Sequence, residues 1–317
     1  MNGVLIIDKP SGLTSHDVVN RLRRILNQRA VGHLGTLDPM ATGVLPLVTG
    51  NLTRLAQFYT GAEKTYEGTI RFGFATDTYD AEGDPTTARQ PVTLQPNEIQ
   101  LLAARFRGVI EQTPPPFSAK KIHGVPAYKL ARKQKDLLLQ PIKVEVKELE
   151  ILSVEGDRAL FRARVASGTY MRSVAHDMGR LLGCGAHLES LRRTAVAEFT
   201  LADAHTLDKL TAAAGNSSVL VAQASSPNPD LESFFVHPRK LLPLLPSVTA
   251  DEPTAARIRS GRPVNLPELS RARQVKVFAG QRELLAIATR VAGTLFHPRI
   301  VLCGAQPCET DAAVRRS

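Results

Sequence analysis

The stretch IKVEVKELEILSVEGDRALFRARV, residues 142 to 165, decides the fold class. Ile142, Val144 and Val146 alternate with charged residues, the period of a strand with one buried face. Leu149 and Ile151 resume the alternation one residue out of phase, which predicts a bulge. Glu155-Gly156-Asp157 is a turn signal, and Leu160 to Val165 reads as the returning strand of a hairpin. Hairpin-joined strands argue for an antiparallel sheet and against a doubly wound one.

Upstream, Lys64 to Phe74 alternate as cleanly, with Tyr66, Gly68, Ile70, Phe72 and Phe74 on one face. Val4 to Ile7 reads as a buried strand. Val44 to Val48 is another, with Pro46 pointing to a strand start or an edge. Thr14 or Ser15 caps a helix that turns Val18, Val19, Leu22, Ile25 and Leu26 inward. Asn97 and Gln100 resemble a capping box for a helix to about Arg107, stopped by Gly108. Asp77 to Asp84 reads as an acidic connection. A further helix presents Met171, Val174, Ala175, Met178, Leu181 and Leu182 on one face, and Gly183 closes it. Strands and helices intermix without a regular βαβ repeat. The expected class is α+β, a mixed and largely antiparallel sheet flanked by helices.

Residues 213 to 235 are rich in Ala, Ser, Gly, Asn and Pro and read as a loop or flexible insertion. Beyond them Asp251 to Ser260 is a short helix. Gln274 to Phe278, Glu283 to Thr289 and Pro298 to Leu302 are short strands of a small barrel. The division expected is a first domain over 1–240, a barrel over 241–305 and a disordered polar tail over 306–317.

The chain of 317 residues carries a net charge of +10, which points to a polyanionic partner. Between Lys120 and Lys143 lie Lys120, Lys121, Lys129, Arg132, Lys133, Lys135 and Lys143 against one acid, Asp136. Taken alone, such a run is also an ordinary solvated helix face. Cys184, Cys303 and Cys308 form no disulfide framework and no CxxC pair, and the eight histidines make no metal box. Dinucleotide, P-loop and nucleophile-elbow signatures are missing, which disfavours a dehydrogenase, a P-loop NTPase and an α/β-hydrolase. No apolar run is long enough to span a bilayer and no signal peptide is recognisable, so a cytoplasmic protein is expected.

The loop GHLGTLDPMATGVLP, residues 32 to 46, holds Asp38 between glycines and a proline. By residue type such an acid is more often a turn former than a catalyst. Arg172 falls in the first turn of its helix, where a cation opposes the helix dipole and calls for an anion or for solvent. Paired with Asp38, it would lower the aspartate pKa by roughly one to three units. Tyr66 and Tyr170 are two of five tyrosines in a chain without tryptophan. They are candidates for core packing or for a pocket that holds an extruded base.

That loop resembles the signature of the TruB family of pseudouridine synthases. Four further segments match in order: DKPSGLTS from Asp8, EKTYEGTIRFGFATDTYDAEGD from Glu63, PPPFSAKKIHGVPAYKLAR from Pro114 and SGTYMRSVAHDMGRLLGCGAHLESLRRT from Ser167. The resemblance implies a pseudouridine-synthase catalytic domain with a thumb-like RNA-binding insertion at about 113–136, and a PUA-like C-terminal barrel. It implies Asp38 as nucleophile, Arg172 as its partner and Tyr66 against the base, with a part in removing the carbon-5 proton. Tyr170 and Leu191 would line the uridine pocket, and His33 would take the place of the extruded nucleotide in the RNA stack. Lys9, Lys120, Lys121, Lys129 and Arg132 are counted with the substrate-binding residues. The reaction implied is isomerisation of uridine-55 in the tRNA T loop, without metal or organic cofactor, by a monomer with no obligatory protein partner. Two other classes compete: an RNA-folding protein, and a guide-RNA-dependent modifier of ribosomal RNA.

Overall fold

The computed structural model describes residues 1–117, 121–122, 125–126, 140–217, 229–267 and 272–302. A ten-stranded sheet forms the first unit. Its strands are β1 (Gly3–Lys9), β2 (Val31–His33), β3 (Thr42–Thr49), β4 (Lys64–Phe72), β5 (Gly108–Gln112), β8 (Ile142–Glu155), β9 (Arg158–Val165), β10 (Ala186–Val196), β11 (Phe199–Thr200) and β12 (Ala204–His205). Between them β6 (Lys121–Ile122) and β7 (Val125–Pro126) make a separate two-stranded ribbon. The order is β12-β1-β3-β10-β4-β9-β8-β5, with β2 on β3 and β11 on β10. Only β1–β12 and β3–β10 run parallel. The mixed, largely antiparallel α+β sheet is thus the one expected.

The hairpin of β8 and β9 has register shifts at Val146/Glu148 and Ile151/Ser153, and the first is the bulge that the phase slip predicts. Four apolar residues in a row at Val4–Ile7 have a plain cause. Leu5 and Ile7 face one cluster with the Ser15–Ile25 and Met171–Leu181 helices, while Val4 and Ile6 face a second. Pro46 lies in the interior of a central strand, not at a start or edge. Its carbonyl accepts from the Leu34 N–H at 2.9 Å, and the donor it lacks would lie on that same edge. There the neighbour of β3 changes from β10 to β2, so the missing donor falls at the end of a ladder and not within one.

Two local expectations fail. The helix Pro96–Ala104 is capped by Gln95 without a side-chain bond, and no capping box forms. Gln100 Oε1 instead accepts the Ile151 N–H at 3.3 Å, tying the helix to β8. Gly108 opens β5 at φ +88° instead of closing the helix, which ends at Ala104. The second failure is at the two ends of 213–235. A helix runs Leu207–Ser217 and another Pro229–Glu232, while 218–228 lie outside the described residues. Leu207, Leu210 and Leu231 are buried in the main cluster, with Ala213 and Ala214 packed against it. Phe235 bridges to Leu5, and the Val236 N–H reaches the Val4 carbonyl at 2.7 Å. Burial of a few apolar side chains overrides the polar composition.

The second unit has strands β13 (Ser247–Ala250), β14 (Val264–Asn265), β15 (Gln274–Ala279), β16 (Glu283–Ala292) and β17 (Leu295–Val301) in the order β13-β15-β16-β17-β14. Asp251 caps the helix Glu252–Arg259 beside it. This arrangement fits a PUA-like unit. Phe278, Leu284, Ile287 and Leu302 share a cluster with Val4, Ile6, Val44 and Val48, so one apolar seam joins the two units. The tail from residue 306 lies outside the described residues.

Candidate active site

The loop between β2 and β3 is held from three sides. Ser15 Oγ accepts the Leu37 N–H at 2.8 Å and donates to the Leu37 carbonyl at 3.1 Å. Arg193, with no exposed surface, donates to the carbonyls of Gly35, Thr36 and Val44 at 3.0, 3.1 and 2.8 Å. Lys9 Nζ donates to the carbonyls of Pro10, Leu13 and Pro39 at 2.9, 2.7 and 3.0 Å. Gly43 (φ +99°) closes the loop where a Cβ would come within 2.2 Å of the Arg193 carbonyl on β10. Every anchor is a backbone atom of the loop or its flanks, which leaves the Asp38 side chain to the site.

Asp38 and Arg172 meet. Arg172 Nη2 donates to Asp38 Oδ1 at 3.0 Å, and Nε makes an ion contact to Oδ2 at 2.9 Å. The guanidinium is itself fixed by the carbonyls of Thr78 and Phe117 at 3.1 and 3.0 Å. Nη1 also lies 3.4 Å from Asp80 Oδ2. Asp80 and Arg172 are buried, whereas 34 % of the Asp38 side chain faces solvent. Asp80 is oriented in turn by the Thr78 hydroxyl at 2.6 Å and the Glu82 N–H at 3.1 Å. The pair expected from helix position therefore exists, but its electrostatic outcome is reversed. Burial pushes the Asp38 carboxyl up and Asp80 adds to the push, and together they outweigh Arg172 and the more distant Lys9.

Asp38 opens into a cleft of about 240 Å³ that Gly35–Asp38, Lys64, Tyr66, Ser167–Arg172 and Leu191 line. Tyr66 comes from β4 and Leu191 from β10, adjacent strands in the sheet. Arg193 hydrogen-bonds the Tyr66 hydroxyl, and burial pushes this phenol above its ordinary range. Tyr170 caps the Met171–Leu181 helix, its N–H on Gln112 Oε1 at 2.8 Å and its carbonyl on Gln112 Nε2 at 3.0 Å. Thus Asp38, Arg172, Tyr66, Tyr170 and Leu191, far apart in sequence, share one cleft. Its size suits one base more than an extended ligand.

The other site residues fall elsewhere. His33 ends β2 beside the cleft, half-buried, and burial lowers its pKa, so its ring is neutral at neutral pH. Lys9, expected on RNA, has no exposed surface, and its Nζ is spent on three carbonyls. Burial lowers its pKa to about 8. It positions the loop and does not reach the surface. Lys120, Lys129 and Arg132 lie outside the described residues, as does the Lys121 side chain. Asp80, Lys64 and Arg193 were missed. In sequence Asp80 reads as part of a connection, although it stands inside the matched segment Glu63–Asp84. For Arg193 the available signal was an arginine two residues after Leu191 on one strand face. Among the described residues no group of three or more His, Cys, Asp or Glu is arranged to hold a metal.

Two family models match the chain: the TruB family pseudouridylate synthase N-terminal domain over residues 23–171, and the tRNA pseudouridylate synthase B C-terminal domain over 172–223. The tRNA pseudouridine synthase B of Solibacter usitatus is 49% identical over 307 residues, 95% of this chain and 100% of the relative. That of Aquifex aeolicus is 37% identical over 304 residues, again 95% and 100%. Two solved structures are similar across 95% of this chain and 85% of their own. One is a chain of an H/ACA RNP bound to a substrate RNA containing 2′-deoxyuridine (25% identity, TM-score 0.69). The other is a chain of a Cbf5-Nop10-Gar1 complex (27%, 0.68).

Proposed function

Because the chain belongs to the TruB family of pseudouridylate synthases, we propose that it isomerises uridine-55 in the T loop of tRNA to pseudouridine. The observation that carries this is the Asp38–Arg172 pair at 2.9 Å and 3.0 Å on the wall of a base-sized cleft. The phosphates of the T arm meet the basic insertion and the C-terminal unit, and the target uridine leaves its stack. The half-buried His33 ring, uncharged, is suited to fill the space in the RNA stack. The flipped base lies against Tyr66, Tyr170 and Leu191.

Asp38 then bonds covalently to the nucleotide, the glycosidic bond breaks, the base rotates and rejoins through carbon 5, and the bond to Asp38 breaks to free the carboxylate. A carboxylate of raised pKa is the more basic nucleophile, and Arg172 limits that rise and aims the group. Tyr66 stacks on the base. Burial holds its phenol protonated at neutral pH, so proton removal at carbon 5 is its minor role. Product and substrate are isomers, so the reaction calls for no redox group. The protein works as a monomer in the cytoplasm, without an obligatory protein partner or a cofactor. No helix among the described residues is long and apolar enough to cross a membrane.

The test is tritium release from tRNA labelled at carbon 5 of uridine. The wild-type chain releases one tritium per tRNA, and Asp38→Asn releases none while binding tRNA as before. Release from Asp38→Asn at the wild-type rate removes the nucleophile assignment, whereas a wild-type chain that binds tRNA and releases no tritium is an RNA-folding protein. The likeness to H/ACA RNP chains favours a second reading, a guide-dependent enzyme. Turnover of an isolated T-arm hairpin by the purified chain rules it out.

A further inference from the structure

The cations around the cleft are not equivalent. Arg172 is spent on Asp38, Asp80 and two carbonyls. Arg193 is spent on three carbonyls and Tyr66, and Lys9 on three carbonyls. Lys64 differs. Its Nζ donates to the Ala62 carbonyl at 2.7 Å, which is its one acceptor among the described residues, and it makes no ion pair there. It opens β4 two residues before Tyr66 and on the same face, about 7 Å away along the strand. Both side chains line the cleft with Asp38. A cation with two unspent donors beside the ring that carries the base meets the anion that forms during the reaction.

We infer that Lys64 is a further catalytic residue, whose ammonium donates to a carbonyl oxygen of the uracil as that base departs. The inference rests on the proposed isomerisation. As the C1′–N1 bond breaks, its electron pair remains on the uracil, spread over N1, O2 and O4. The pair returns to carbon when C5 bonds to C1′, and the bond to Asp38 breaks with its own pair returning to the carboxylate; one proton then leaves C5 and one arrives at N1, so the product is an isomer. A fixed ammonium at O2 or O4 stabilises the uracil anion more than the neutral nucleotide, which accelerates cleavage without tightening binding. Burial and the neighbouring Arg193 bring the Lys64 pKa down to about 8, so it carries its charge at neutral pH.

The experiment separates rate from affinity. Single-turnover conversion of a T-arm hairpin is measured for wild type, Lys64→Met, Lys64→Gln and Lys64→Arg. Hairpin affinity is measured with each change placed on Asp38→Asn, so that no turnover intervenes. The neutral variants are expected to lose about tenfold or more in rate, with affinity within about twofold and melting temperature unchanged, and Lys64→Arg to recover most of the rate. A rate within about twofold of wild type in both neutral variants overturns the assignment. An equal loss of rate and affinity, with a salt slope smaller by about one, overturns it in favour of a phosphate contact. An inactive wild type overturns the functional reading as well, whereas an active one beside unaffected variants removes Lys64 alone.

Discussion

Asp80→Asn tests whether the second carboxylate governs the first. Asp80 Oδ2 stands 3.4 Å from Arg172 Nη1, both side chains being 5–6 % exposed. At an effective dielectric of about 20 the attraction is about 5 kcal/mol, much of it cancelled by the cost of burying the two charges. Asparagine keeps the shape and an oxygen acceptor, and Arg172 retains Asp38 and two carbonyls. The stability loss expected is therefore about 1 to 3 kcal/mol, below the usual cost of orphaning a buried charge. Thermal unfolding reads it directly. The catalytic effect has its own sign. Asp80 is one of the two causes that raise the Asp38 pKa, so removing its charge lowers that pKa. The active carboxylate then survives to lower pH, and the acid limb of single-turnover rate against pH moves down. The plateau rate falls by about tenfold or more, because the guanidinium loses an anchor and the carboxylate becomes a weaker base. An acid limb that moves up or stays put, together with a plateau within about twofold of wild type, refutes the coupling.

Lys9→Met leaves three carbonyls without their donor, and about 2 to 4 kcal/mol of stability should be lost, read as a lower melting temperature. Affinity for tRNA per folded molecule stays the same, because Lys9 reaches no surface; a selective loss of affinity would return it to the RNA contacts. Gly43→Ala forces a left-handed backbone and a 2.2 Å clash onto the β10 carbonyl. It should cost about 3 kcal/mol or more and misplace Asp38; full activity at wild-type melting temperature contradicts the loop anchoring. Affinity for tRNA should fall steeply with salt, by about 0.9 in logarithmic slope for each phosphate neutralised, and a flat response contradicts a phosphate-held complex.

Strands that alternate were legible from the sequence because burial of one face is written residue by residue. Tyr66 on β4 and the bulged hairpin at Ile142–Val165 are of this kind. Arg172 was legible because a cation in the first helical turn calls for an anion. Asp80 was not, because an acid in a turn-rich segment looks the same whether it faces water or, as here, a guanidinium from 92 residues further on. Lys9 misled for the same reason: a lysine beside Pro10, Ser11 and Gly12 looks free to meet RNA, but at the end of β1 it folds inward once Pro39 supplies a third acceptor. The Asp38 pKa direction could not be read from its partner alone, since burial is a property of the assembled cleft. The helix through residue 217 escaped a reading by composition because Leu210 and Leu231 become apolar anchors only against the Ser15–Ile25 helix and β1.

The apolar seam between the two units bears on synthesis. Val4 and Ile6 leave the ribosome long before Phe278, Leu284, Ile287 and Leu302, which cover them. At about 5 to 20 residues per second, the back of β1 and β3 waits about 5 to 20 seconds between completion of β10 and arrival of β17. Throughout that interval the nascent chain carries a sticky stripe that invites chaperones or wrong partners. A premature stop near residue 240 thus yields a protein exposing its own interior instead of a smaller working enzyme.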